Sequence, residues 1–204
     1  MNAVIFHKKT DFSWRWLVVI ASTITMFGFY GTSGSFGIFL KPIEEELGST
    51  RAAASGAMST FMGLTGIIGI LAGRLTDRYG ARVIVGLGAL LGGLGYLLMY
   101  QLSSLWQLHL YFGVMAGASM GTCFTPVLAT VSKWFTEKRV LAVGLTTIGI
   151  ALGQMILPPL IAYFMADHGW RPAYVLLAIV VWVTAVPAVI LLRRKPQQNA
   201  TVSL

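Results

Sequence analysis

The sequence predicts an all-α integral membrane protein of six transmembrane helices, arranged as two inverted three-helix repeats with both termini in the cytoplasm. Three observations predict it. Apolar residues make up 56% of the 204-residue chain and charged residues only 11%, against about a quarter charged in ordinary soluble domains. The apolar residues fall in six runs, each long enough for the roughly 20 residues a helix needs to cross the hydrocarbon. The basic residues gather on alternate loops, as positively charged cytoplasmic loops do.

The first run, 16–40, follows Lys8, Lys9 and Arg15. It is too long for a signal-peptide core and ends at no small-residue cleavage site, so it reads as an uncleaved span. KPIEEELGSTR separates it from the second run, 52–75. The third covers 81–100, the fourth 105–132 after QLSS, the fifth 140–165 and the sixth 172–192. This gives a tail at 1–15, a six-helix domain at 16–192 with repeats 16–100 and 105–192, and at 193–204 a cytoplasmic tail or the start of a central linker.

Of the 15 Lys and Arg residues, twelve lie at the N-terminus and after the second, fourth and sixth runs: Lys8, Lys9, Arg15, Arg74, Arg78, Arg82, Lys133, Lys138, Arg139, Arg193, Arg194 and Lys195. Lys41, Arg51 and Arg171 occupy the other loops. The net charge of +8 is therefore a topology signal, and no nucleic-acid partner is implied. No acid or base sits in the middle of any run, where a charge costs about 2.5–3.5 kcal/mol on insertion scales. The chain thus lacks the intramembrane carboxylate relay of proton-coupled carriers.

No metal or cofactor is expected. Cys123 is the single cysteine, and His7, His109 and His168 lie far apart near run ends. No nucleophile–base pair or phosphate loop appears, so the chain does not read as an enzyme. Glycine recurs at helical spacing: 28, 31, 34 and 37; 69 and 73; 88 and 92; 113, 117 and 121; 149 and 153. Between helices in lipid, small residues permit the close backbone packing that drives association.

An internal repeat appears at an offset of about 88 residues. RAAASG (51–56) compares with RVLAVG (139–144), and GRLTDRYGARVIV with the segment ending in DHGWRPAYV. These matches pair Arg51 with Arg139, Gly56 with Gly144, Gly80 with Gly169, and Arg82 with Arg171. An odd number of spans per unit makes the two copies face opposite ways.

GRLTDRYGARVIV carries the most specific motif, Gly73, Arg74, Asp77, Arg78, Gly80 and Arg82 in one short turn. The chain resembles the major facilitator superfamily here, in its signature loop between the second and third helices. Gly80 can supply a turn at positive φ, and Arg78 and Arg82 can reach lipid phosphates. Asp77 is anomalous in a basic loop. A carboxylate suits a helix N-terminus, and the resemblance implies that Asp77 meets one across the interface with a second six-helix half, latching the cytoplasmic side. The tract KWFTEKRVLAVG with Lys138 and Arg139, the Pro-Pro of the fifth helix, GWR, and FGIFLKPIEEELG resemble the monocarboxylate-transporter and oxalate/formate-antiporter branch over essentially the whole chain.

Two departures argue against drug/proton antiporters. Leu110-Tyr111-Phe112 stands where those place an Arg, and 153–158 lacks their Gly-Pro motif. Anchored on FLKPIE, Gly34 takes a position where animal monocarboxylate carriers have Lys and the oxalate carrier Tyr. Neither lactate–proton symport nor oxalate exchange therefore transfers directly.

The resemblance implies a cavity lined mainly by the first and fourth helices of each half. Candidates here are Tyr30, Ser33, Gly34 and Ser35, then Ser119, Thr122 and Thr125, and Gln154. The reading is the N-terminal half of a secondary carrier for a small monocarboxylate-like anion, multi-pass in a bacterial inner or plasma membrane. Its other half is a missing C-terminal segment or a homodimer mate. A truncated, non-transporting membrane protein, or a carrier for another solute such as a drug or sugar, stays open as an alternative.

Overall fold

The computed structural model describes residues 2–192 apart from Thr136, with side chains from Trp14 onward. The segment 193–204, with Arg193, Arg194 and Lys195, lies outside the described residues. The described residues form eight α-helices: α1 Asn2–Gly34, α2 Phe36–Leu47, α3 Arg51–Tyr79, α4 Ala81–Leu98, α5 Leu105–Leu108, α6 Gly117–Trp134, α7 Arg139–His168 and α8 Trp170–Leu191. A 3-10 turn, Met99–Gln101, ends the third span, and a π-helical segment, His109–Ala116, joins α5 to α6. Among the described residues these make six helices long and apolar enough to cross a membrane.

The spans match the expected runs closely, with three local differences. α1 begins at Asn2, so helix runs through the segment read as a tail. The first span continues as α2 to Leu47 through the KPIEEE sequence read as a loop. A Lys41–Glu45 pair one turn apart supports α2, and a left-handed Gly48 at φ 58 stops it after Leu47, the usual glycine helix stop. Between α1 and α2 the Ser35 hydroxyl donates to the Gly31 carbonyl at 2.9 Å, competing with the backbone there and marking the break. The fourth span is the third difference. After α5 it runs through a π-helical segment, a wide turn of a kind that is frequent at functional sites.

The packing has the exchange symmetry of the two repeats. The first span lies against the fifth and sixth, the fourth against the second and third, and the third against the sixth. Gly80 and Gly169, the single residues between spans two and three and between five and six, share one conformation: φ 90, ψ 149 and φ 82, ψ 171. That backbone region is essentially restricted to glycine and costs other residues about 1–3 kcal/mol. Gly80→Ala should therefore lower the melting temperature by several degrees with insertion intact. An unchanged melting curve would show that the turn relaxes into another shape.

At one end of the bundle an aromatic cluster fills the core. Phe112 stacks on Phe36 at 3.9 Å and on Phe61 at 5.0 Å, while Tyr174 packs on Phe39 at 4.2 Å. Elsewhere the helices approach through glycine and bond across the gap. Thr65 donates to the Gly117 carbonyl at 3.0 Å, and Thr25 to that of Thr184 at 3.0 Å. Outward faces carry exposed Leu87, Leu90, Val183 and Ile190, an apolar perimeter suited to lipid rather than water.

Candidate functional site

A cleft of about 440 Å³ opens on one face of the bundle between α1, α3 and α6. α3 and α6 touch at Gly117 and Gly121, where an added Cβ would sit 2.8 Å from the carbonyls of Phe61 and Thr65 respectively. Along the same face Gly66 has no atom within 4 Å of where its Cβ would be, so space opens beside the crossing. Tyr30 and Phe124 wall it edge to face, ring centres 6.1 Å apart at 66°. Thr65, Gly69, Ile70, Gly73, Met120 and Thr125 complete the lining, which contains no charged side chain.

Of the expected path residues, Tyr30 and Thr125 line this cleft. Ser33, Ser35 and Thr122 turn back on their own helices, donating to the carbonyls of Tyr30, Gly31 and Ser119. Ser119 is buried against Gly92. Gly34 and Gln154 meet each other at the α1–α7 crossing, where a Cβ on Gly34 would lie 3.2 Å from Gln154 Cγ. Gln154 itself is exposed. Thr65 and Phe124 were missed by reading the sequence. One spends its hydroxyl on the carbonyls of Phe61 and Gly117, and the other is an ordinary apolar residue of a membrane helix.

In the signature loop, Asp77 accepts a 2.9 Å bond from Lys133 at the end of α6, with both side chains largely exposed. Its visible partner thus belongs to this same bundle, whereas the resemblance pointed across to another half. Arg78 stacks over Tyr79 at 5.3 Å. Gly73 faces Thr125 in the cleft, and Arg74 and Arg82 are exposed.

The corresponding junction of the second repeat lies at the opposite end of the bundle. Arg171 donates to Glu46, to the Tyr100 carbonyl and, at 2.8 Å, to the Leu102 carbonyl. Trp170 donates to the other Glu46 oxygen at 2.9 Å. This clamp joins the ends of the first and third spans to the start of the sixth. Glu46 and Trp170 carried no sequence signal beyond their charged and GWR contexts. Lys138 and Arg139 open α7, exposed, and the Gly144 position is uncrowded.

A six-span bundle with a pseudo-twofold exchange of its repeats, and an uncharged cleft on one face, defines a polytopic membrane protein with the build of half a carrier. The Major Facilitator Superfamily profile matches residues 18–203, and the chain belongs to that family. It is 30% identical to human monocarboxylate transporter 14 over 82% of its own length and 33% of the relative's. To mouse monocarboxylate transporter 11 it is 30% identical over 83% and 38% of the two chains. To human monocarboxylate transporter 1 it is 29% identical over 84% and 34%. The chain spans about a third of the length of these relatives. The chain is therefore a multi-pass membrane protein, monocarboxylate-transporter-like in sequence.

Proposed function

We propose that the chain is one six-helix half of a secondary carrier that moves a small monocarboxylate-like anion by alternating access. The observation that carries this reading is the cleft, open on a bundle face and lined from three spans, the arrangement expected of half a midplane site. The names of the relatives supply the substrate class. A second six-helix unit, from the same gene product or a second copy, closes the cavity and brings the cation that holds the carboxylate. The charge asymmetry of the loops supports cytoplasmic termini and a cytoplasmic signature loop. Mammalian relatives lend no support to a bacterial membrane, so the location proposed is a plasma membrane without a source.

The test is uptake of radiolabelled carboxylates into liposomes carrying the native gene product, whose mass is first measured from its own cells. Saturable uptake above protein-free vesicles is expected, and its absence would remove the carrier reading. Asp77 supplies a sharper check on gating. An exposed pair such as Asp77–Lys133 contributes only about 0.2–1 kcal/mol to stability. Asp77→Asn should thus leave insertion and melting nearly unchanged while cutting uptake several-fold. Wild-type rates in this variant would deny the loop its gating role.

A further inference from the structure

We infer that the cleft selects its substrate by the apolar tail, favouring monocarboxylates with a flat aromatic body over acetate-sized ones. This inference rests on the carrier reading above and concerns the same site. Its ground is the chemistry of the cleft wall. No lining residue is charged, so no ion pair on this wall offsets the desolvation of a carboxylate. The Thr65 hydroxyl donates to two backbone carbonyls, Phe61 at 2.8 Å and Gly117 at 3.0 Å, and is engaged within the protein.

What the wall does present is aromatic and aliphatic surface. Phe124 is 40% exposed and Ile70 is 68% exposed, and the edge of one ring of the Tyr30–Phe124 pair meets the face of the other. Aromatic rings prefer such edge-to-face and offset contacts with a further ring, so a substrate ring can extend the pair. The Tyr30 and Thr125 hydroxyls belong to the same lining and are the groups that can donate to the carboxyl end. Gly66 keeps the cleft open, since a side chain there would enter space that no protein atom fills. A small anion would leave most of the volume of about 440 Å³ to water and gain little from this half.

In an apolar pocket, one methylene changes selection by about 10–200-fold. On a wall lined from one side, a phenyl group is expected to give about ten-fold. The experiment is uptake of labelled phenylacetate and acetate by the native gene product in liposomes, corrected for protein-free vesicles. Expected is a kcat/KM for phenylacetate about ten-fold above that for acetate. Gly66→Leu and Phe124→Ala should each lower the phenylacetate-to-acetate ratio of kcat/KM about ten-fold, with folding checked separately by membrane insertion and melting. Equal rates for the two acids, or a Gly66→Leu effect that falls on both alike, would overturn tail selection while leaving the carrier reading in place. If neither acid is taken up, the carrier reading fails and this inference fails with it.

Discussion

Gly153→Leu is expected to break the bundle apart, and Gly153→Ala to cost about 1–3 kcal/mol by overpacking. The α1–α7 crossing is built from backbone against backbone. A Cβ on Gly153 would stand 2.3 Å from the Phe27 carbonyl oxygen and 3.0 Å from the Gly31 nitrogen. One on Gly149 would stand 2.2 Å from the Thr23 carbonyl oxygen, and one on Gly31 2.7 Å from that of Gly153. None of these atoms can rotate away, so the helices must part. Parting them also strains the bond from Thr23 to the Leu145 carbonyl, 3.3 Å long. Lipid tails offer no hydrophobic drive to push the helices back together, and packing is most of what holds them. The measurement is thermal unfolding followed by a thiol-reactive dye, because Cys123 is fully buried and reacts only when the core opens. At about 2–4 °C per kcal/mol for a chain of this size, Gly153→Ala should lower the midpoint by several degrees. Gly37→Ala is the control, since nothing lies within 4 Å of its added Cβ. Equal midpoints for the two variants would refute the close-approach account.

The same pair shows how much could be read from the sequence. Glycine spacing marked the faces of five helices, and for Gly117, Gly121, Gly149 and Gly153 the partner backbone is indeed there. Identical spacing also marked Gly37, which meets nothing, and Gly69 and Gly73, which border the cleft. Periodicity finds a face; it does not say whether a helix or an opening lies opposite. Hydropathy located all six spans because the bilayer sets their length. It could not show the break at Ser35, the π-helical turn or the run of α2 through Pro42, which depend on local hydrogen bonding within an unbroken apolar or amphipathic stretch. Polarity was a poor guide to the cleft. Most buried Ser and Thr hydroxyls satisfy their own helix, as polar groups in lipid must. The cleft instead takes its character from Phe124 and Ile70, whose apolar side chains look in sequence like any lipid-facing residue.

Arg171 carries the second large effect. Tyr100 and Leu102 lie where the third span ends, and their carbonyls are among those a helix terminus leaves without intrahelical partners. The Arg171 guanidinium takes both, holds Glu46 at the end of α2, and stacks over Trp170 at 4.8 Å. Hydrogen bonds to charged groups contribute about 1.5–3 kcal/mol net. With the Arg171 side chain 33% exposed, water can replace part of this set, so Arg171→Ala is expected near 2 kcal/mol, read as a drop of several degrees with the same dye. Lysine lacks the planar fork that reaches several acceptors at once, and Arg171→Lys should recover less than half. Glu46→Gln alone should cost less, and in the double variant the two losses should fall short of their sum, since both remove one shared contact. Strict additivity would mean that Arg171 acts through the carbonyls alone. The comparison with Asp77 then tests the symmetry of the bundle. Each clamp ties the junction of one repeat to the first span of the other, Asp77 to Lys133 and Arg171 to Glu46. The first pair is 71% and 63% exposed, so water competes for it and it can open and close at little cost in stability. The second is built to stay shut. Melting should therefore respond to Arg171 and uptake to Asp77, because the two repeats have put corresponding junctions to different uses.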